Sequence, residues 1–222
     1  MAYITVTLLS TNTDAQNETL ISNALTNSSD GDTIIVTNNR TTAGNALTSV
    51  QLTNSLVIAN KALRIVGTGN RDITLIAAAG KPIFEMTHTG DATYDRLEIL
   101  NFTLTGNSTA THAIYFNYSA PGVGSVRKYD HVRLNNLTIS NFDRGINALI
   151  PYTDAGSCIC TLWTIDNCEI SNCRAYGVYI AQVTNASIRN CEIKTCGNNG
   201  INAYGCINFS VRDTIVDGCN TL

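Results

Sequence analysis

The sequence predicts an all-β solenoid of stacked parallel strands, and three observations carry that prediction. One short phrase recurs: Asn101, Asn136, Asn167, Asn190 and Asp213 each stand three residues before an aliphatic residue, Leu104, Ile139, Ile170, Ile193 and Val216. The last three anchors lie 23 residues apart and bring their surroundings with them, Ile165, Ile188 and Val211 two residues before and Cys173, Cys196 and Cys219 six after. Self-similarity at such a period marks a solenoid. Within each unit apolar residues alternate in short runs, as in Cys191-Glu192-Ile193, the pattern of strands with one buried face. Three such strands fit in one coil.

From the N-terminus, residues 3–9 alternate as a strand and 14–27 read as an amphipathic helix capped near Thr13 or Asp14. Together residues 1–32 are expected to cap the first coil, because an open solenoid end exposes both core and sheet edge. Residues 33–222 then form the coils. At a stacking distance of about 4.8 Å, each anchor Asn can donate its amide to a carbonyl oxygen of the next coil, satisfying turn groups that would otherwise be buried and unpaired. Asp213 has no amide, so it can accept but not continue the series. A third strand follows each anchor, at 113–117, 145–149, 177–180 and 200–203. Residues 209–219 keep perfect register and the sequence stops at Leu222. The last coil's edge is therefore expected to be bare, either through truncation or because a partner chain or further domain covers it.

These repeats, together with the amphipathic stretch 18–25, Gly31-Asp32-Thr33-Ile34-Ile35-Val36 and Leu63-Arg64-Ile65-Val66-Gly67, resemble a right-handed single-stranded parallel β-helix of the pectate-lyase-like superfamily. The resemblance spans most of residues 14–219. It implies the fold and leaves function open, since polysaccharide lyases and hydrolases, pectin esterases, phage tailspikes, adhesins and structural proteins share it. It also implies that chemistry, where present, sits on the strand following the ladder.

Bulk properties narrow the classes. With 222 residues, 44% hydrophobic and 14% charged, the chain can bury one long core. A net charge of -3 with scattered Lys and Arg gives no basic footprint, so nucleic acid is not an expected partner. The apolar runs fall far short of the roughly 20 residues of a membrane span, and no signal peptide is visible at Met1-Ala2-Tyr3-Ile4. Eight cysteines without a C-x-x-C pair read as buried free thiols, Cys168 stacked on Cys191 and Cys173 on Cys196 and Cys219. Cys158 and Cys160, in a loop, are the expected exceptions. Free thiols without a signal suggest a reducing compartment of synthesis, as for a virion component; a virion or cell-surface location is expected.

Successive coils measure 35, 31, 23 and 23 residues from anchor to anchor, and nearly all the extra length falls after the third strand, building a protrusion from residues 118–131 and 151–161. Function tends to sit on such loops. Two groups of candidates follow. Tyr115, Asn147, Tyr179 and Asn202 form a file on the third strand that, facing outward with Tyr118 and Tyr152 nearby, would bind a ligand. Arg127, Lys128, Asp130, His131 and Asp154 form the nearest approach to a catalytic set, with the solvated loop as the plainer interpretation. His88 and His112 read as turn residues. A calcium site from Glu85, Asp91 and Asp95 lacks regularly spaced oxygen ligands, and no metal or cofactor is expected. Lysis or hydrolysis of a polysaccharide needs a positioned acid, base or carboxylate pair, which these residues do not assemble. The favoured expectation is a non-catalytic structural or adhesive β-helix that binds glycans or a partner chain through its lateral face. The alternative is a polysaccharide lyase or glycoside hydrolase.

Overall fold

Alternation of apolar and polar residues gives every coil one inward file per side, and stacking those files closes the core. The computed structural model describes residues 1–38, 49–87, 93–107, 109–117, 128–148 and 160–220. Three parallel sheets run the length of the molecule. The first is formed by Tyr3–Leu8, Thr33–Asn38, Arg64–Gly67, Glu98–Leu100, Arg133–Asn135, Thr164–Asp166, Ser187–Arg189 and Ser210–Arg212. The second contains Ser49–Gln51, Ile73–Ile76, Phe102–Thr105, Thr138–Ser140, Glu169–Ser171, Glu192–Lys194 and Ile215–Asp217. The third contains Leu56–Ala59, Phe84–Thr87, His112–Asn117, Arg144–Ala148, Tyr176–Ala181 and Ile201–Tyr204. The register is that of like upon like. In the first sheet Ile34, Ile65, Ile99, Leu134, Ile165 and Ile188 stack in one inward file. In the second Leu75, Leu104, Ile139, Ile170 and Ile193 do so. All are at most 2% exposed, and each buried branched side chain contributes about 1.5–3 kcal/mol relative to exposure.

A fourth, short side was not expected from three strands per coil. Thr93–Asp95 pairs with Lys128–Asp130, and Cys160–Thr161 with Val183–Thr184. Inside it Phe116, Tyr129 and Trp163 pack ring against ring, with centroids 5.6 and 4.5 Å apart, and Trp163 Nε1 donates to the Tyr129 main-chain oxygen at 2.9 Å. Cys160 is buried here in a strand, which corrects its assignment to a loop: its pairing with Val183 holds it in the core. Cys158 lies outside the described residues.

At the N-terminus the helix Asp14–Asn27 begins at Thr13 with a reciprocal capping box to Gln16. Its buried Glu18 accepts from Thr53 N and Oγ1 and Asn54 N, and Lys61 Nζ donates to the Leu25, Thr26 and Ser28 carbonyls. A cation thus closes the helix C-terminus. The strand before the helix is no separate lid: Tyr3–Leu8 pairs in register with Thr33–Asn38 as the outermost strand of the first sheet. At the opposite end Val211 and Val216, whose counterparts in earlier coils are core, are 44% and 46% exposed.

The anchors occupy the corner between the first and second sheets, and all five adopt left-handed backbone, with φ from 48° at Asp213 to 65° at Asn101. This supplies a second reason for Asn: it tolerates φ > 0 better than other side chains. The ladder also runs otherwise than expected. Asn136 Nδ2 donates to Asn101 Oδ1 and Asn167 Nδ2 to Asn136 Oδ1, so each rung reaches the preceding coil's side chain, and Asn101 ends the series on the Gly67 carbonyl. Asn190 departs from it by donating to Asp166 Oδ1 at 2.9 Å. The rungs are not buried. Asn101 and Asn136 are half-buried, and Asn167, Asn190 and Asp213 are exposed, because a left-handed residue turns its side chain to the outside of the corner while its successor (Phe102, Leu137, Cys168, Cys191) enters the core.

Candidate functional site

The third sheet turns glycines inward at three strand entries, Gly145, Gly177 and Gly200. A Cβ on Gly177 would meet Ile193 Cγ2 at 2.6 Å and the Gly200 carbonyl at 2.7 Å, and one on Gly145 the Gly177 carbonyl at 2.5 Å. With Ile146 and Val178, the residues after Gly145 and Gly177, also buried, side chains emerge from these strands three residues apart. Two outward files result. Glu85, Tyr115, Asn147, Tyr179 and Asn202 stack in register as one file. Beside it His112, Arg144 and Tyr176 stack likewise.

The two files interlock. His112 lies flat on Tyr115 (centroids 4.5 Å apart, planes 12° apart), and Tyr176 on Tyr179 (5.1 Å, 28°). The Arg144 guanidinium carbon sits 5.6 Å from the centres of both Tyr176 and Tyr179, within cation–π range. Between the two aromatic stacks is a polar row. Asn147, only 2% exposed, directs Nδ2 to His112 Nε2 at 2.9 Å. His112 Nδ1, Arg144 Nε and Asn147 Oδ1 are buried and have no hydrogen-bond partner among the described residues. Turning the amide over relocates the unmet groups without satisfying them. Burial, with Arg144 beside it, lowers the His112 pKa to about 4, so the ring is neutral at neutral pH. Burial raises the Tyr115 phenol, which stays a donor. Glu85 accepts from Asn117 Nδ2 at 2.9 Å.

Of the predicted binding residues, Tyr115 and Tyr179 are half-buried and outward, and Asn202 ends the file. Asn147 differs from expectation: it faces outward yet is covered by its neighbours. Tyr118 and Tyr152 lie outside the described residues, as do Arg127, Asp154, His88 and Asp91. The other catalytic candidates do not meet on this face. Asp130 accepts from the Thr161 main chain at 2.8 Å, Lys128 lies in the short fourth side, and His131 Nδ1 pairs with Asp95 Oδ1 at 2.5 Å at the entry to the first sheet. Glu85 and Asp95 belong to different sheets, which separates the calcium candidates. Among the described residues no group of three or more acidic, His or Cys side chains could hold a metal, and no helix is long and apolar enough to cross a membrane. Sequence reasoning assigned His112 to a turn, whereas it opens the strand His112–Asn117 and pairs with Arg144, and it missed Arg144 and Tyr176. Their signal was available: each stands three residues before a member of the predicted file, and the spacing of 32 residues repeats in both.

Residues 152–221 match the family described as right handed beta helix region, a span holding the anchors Asn167, Asn190 and Asp213. Comparison with curated proteins and with solved structures gives no match.

Proposed function

We propose that this right-handed parallel β-helix is a structural or adhesive protein that binds a glycan across the outer face of its third sheet. One observation carries the reading: a polar row of His112, Arg144 and Asn147 lies between two aromatic stacks, with His112 Nδ1, Asn147 Oδ1 and Arg144 Nε lacking hydrogen bonds among the described residues, the last facing Asp143 Oδ2 at 3.8 Å. A saccharide has the complementary construction. Its apolar ring face stacks on Tyr115 or Tyr179, which are half-buried, while its hydroxyls meet the partly exposed Arg144 guanidinium and the tyrosine hydroxyls. The same groups suit binding better than bond cleavage, because His112 Nε2 is engaged by Asn147 and Glu85 by Asn117.

The test is binding of the full chain to an array of neutral and acidic oligosaccharides, followed by calorimetry on the best ligand. Tyr179→Ala and Tyr115→Ala should each weaken binding about fivefold or more, an aromatic contact contributing about 1 kcal/mol beyond its area. Indifference of the best ligand to both substitutions would refute the reading, as would an array with no ligand. Time-dependent release of reducing ends or unsaturated products from pectate, alginate or related polymers would favour the lyase or hydrolase instead.

A further inference from the structure

A second polar concavity, of about 390 Å³, opens on the first sheet between Asp95, Arg96, Glu98, His131, Val132, Arg133, Leu162 and Thr164. It is built by three successive coils, each giving a left-handed corner residue and the residue two further on: Arg96 with Glu98, His131 with Arg133, Leu162 with Thr164. The next two coils use Asn185 and Asn208 at this corner, with Asn208 Nδ2 donating to Asn185 Oδ1 at 3.0 Å, a second asparagine ladder. That ladder is given up where the concavity begins. Leu162 is the costliest departure: it is 44% exposed and holds φ 58°, where an L-residue other than Asn, Asp or Gly loses about 1–2 kcal/mol. A local rule broken without local gain marks a functional position.

The charges here do not cancel in place. Glu98 lies beneath Arg133 in the register, yet both its oxygens are spent, Oε2 on Arg64 Nε at 3.0 Å and Oε1 on Arg96 Nε at 3.3 Å. Asp95 accepts from His131 Nδ1, so the opposite ring nitrogen donates only when the ring carries both protons. The Arg133 guanidinium is exposed and has no ion pair among the described residues, and above it stands the hydroxyl of Thr164. We propose that this concavity binds a tetrahedral oxyanion, a sulfate or phosphate ester group, held by Arg133, the terminal nitrogens of Arg96 and the Thr164 hydroxyl, with His131 adding a donor when its ring carries both protons. Donors from three coils surround a tetrahedral group better than a planar carboxylate, and the Leu162 side chain provides the apolar wall for the organic part that carries the ester. The site lies on a different sheet from the aromatic face and does not depend on it.

Calorimetric titration of the full chain with inorganic phosphate, inorganic sulfate and acetate at low ionic strength tests this. Phosphate and sulfate should bind saturably, and acetate at least tenfold more weakly. Arg133→Gln, and His131→Asn, which keeps a residue suited to the left-handed corner, should each weaken phosphate and sulfate about tenfold, the latter where the ring carries both protons. Arg212→Gln, an exposed arginine of the same sheet, should change nothing, and neither should Tyr179→Ala. Absence of saturable phosphate and sulfate binding, equal affinity for acetate, or an equal loss in Arg212→Gln would overturn the proposal. Sulfated and phosphorylated monosaccharides, compared at the same site, identify which ester is preferred.

Discussion

Arg71 Nη2 donates to the Asn167 main-chain oxygen at 2.8 Å, although 96 residues separate the two in the chain. The same guanidinium bonds Asn136 Oδ1 at 2.9 Å, Thr138 Oγ1 at 3.1 Å and Glu169 Oε1. One side chain, 15% exposed, therefore ties its own coil to the two coils that carry the middle of the asparagine ladder.

Replacing that clamp should be costly. Arg71→Gln is expected to lose about 2 kcal/mol, given hydrogen bonds from a charged group, and to lower the melting temperature by roughly 5 °C for a chain of this size. Arg212→Gln serves as the exposed control. Thermal denaturation of the two variants checks it, and equal midpoints would show the clamp to be idle.

The ladder corner makes two separable demands, left-handed backbone and an amide. Asn167→Ala violates both, whereas Asn167→Gly violates only the second. Because the rung is exposed, the alanine variant should lose about 1–2 kcal/mol, most of it from the backbone, and the glycine variant clearly less. Denaturant midpoints that rank the two alike would mean that the hydrogen bond, and not φ, selects asparagine here.

His112 gives the fold a definable pH dependence. Its pKa falls from 6.5 in the free side chain to about 4 in the structure, through burial first and Arg144 second. The unfolded chain therefore takes up a proton between pH 6.5 and 4 that the native state refuses. The stabilising contribution is complete above pH 6.5 and declines as pH falls towards 4, by up to about 3 kcal/mol, then levels off. Stability curves of the parent and His112→Gln across this window should converge at the acid end. A pH profile identical in the variant would contradict the assignment.

Thiol accessibility reads the register directly. Cys160, Cys168, Cys173, Cys191 and Cys196 are buried, while Cys206 and Cys219 are partly exposed. Hydrogen bonding to Cys196, with burial, holds the Cys173 thiol well above its ordinary range, and hydrogen bonding to Cys191 does the same for Cys168. Mass spectrometry after brief native alkylation should find Cys206 and Cys219 modified and those five unmodified until denaturant is added. Rapid native labelling of the Cys168 and Cys173 files would break the coil register.

The sequence by itself determined the fold, the helix with its Thr13 cap, the corner positions and the vertical file Tyr115, Asn147, Tyr179 and Asn202. Each of these follows from a period, and in a stack of parallel coils a period in sequence is a column in space. The tertiary structure decided what the columns do to one another. It buried Asn147 between two aromatic stacks, set Arg144 over Tyr176 and Tyr179, gave His131 to Asp95, carried Arg71 to Asn167, turned the ladder from buried to exposed, and bent Cys160 into a fourth side. Those outcomes depend on side-chain reach between coils of unequal length and on which oxygen is already taken by a neighbour. Neither quantity is periodic, so neither leaves a mark in the one-dimensional repeat.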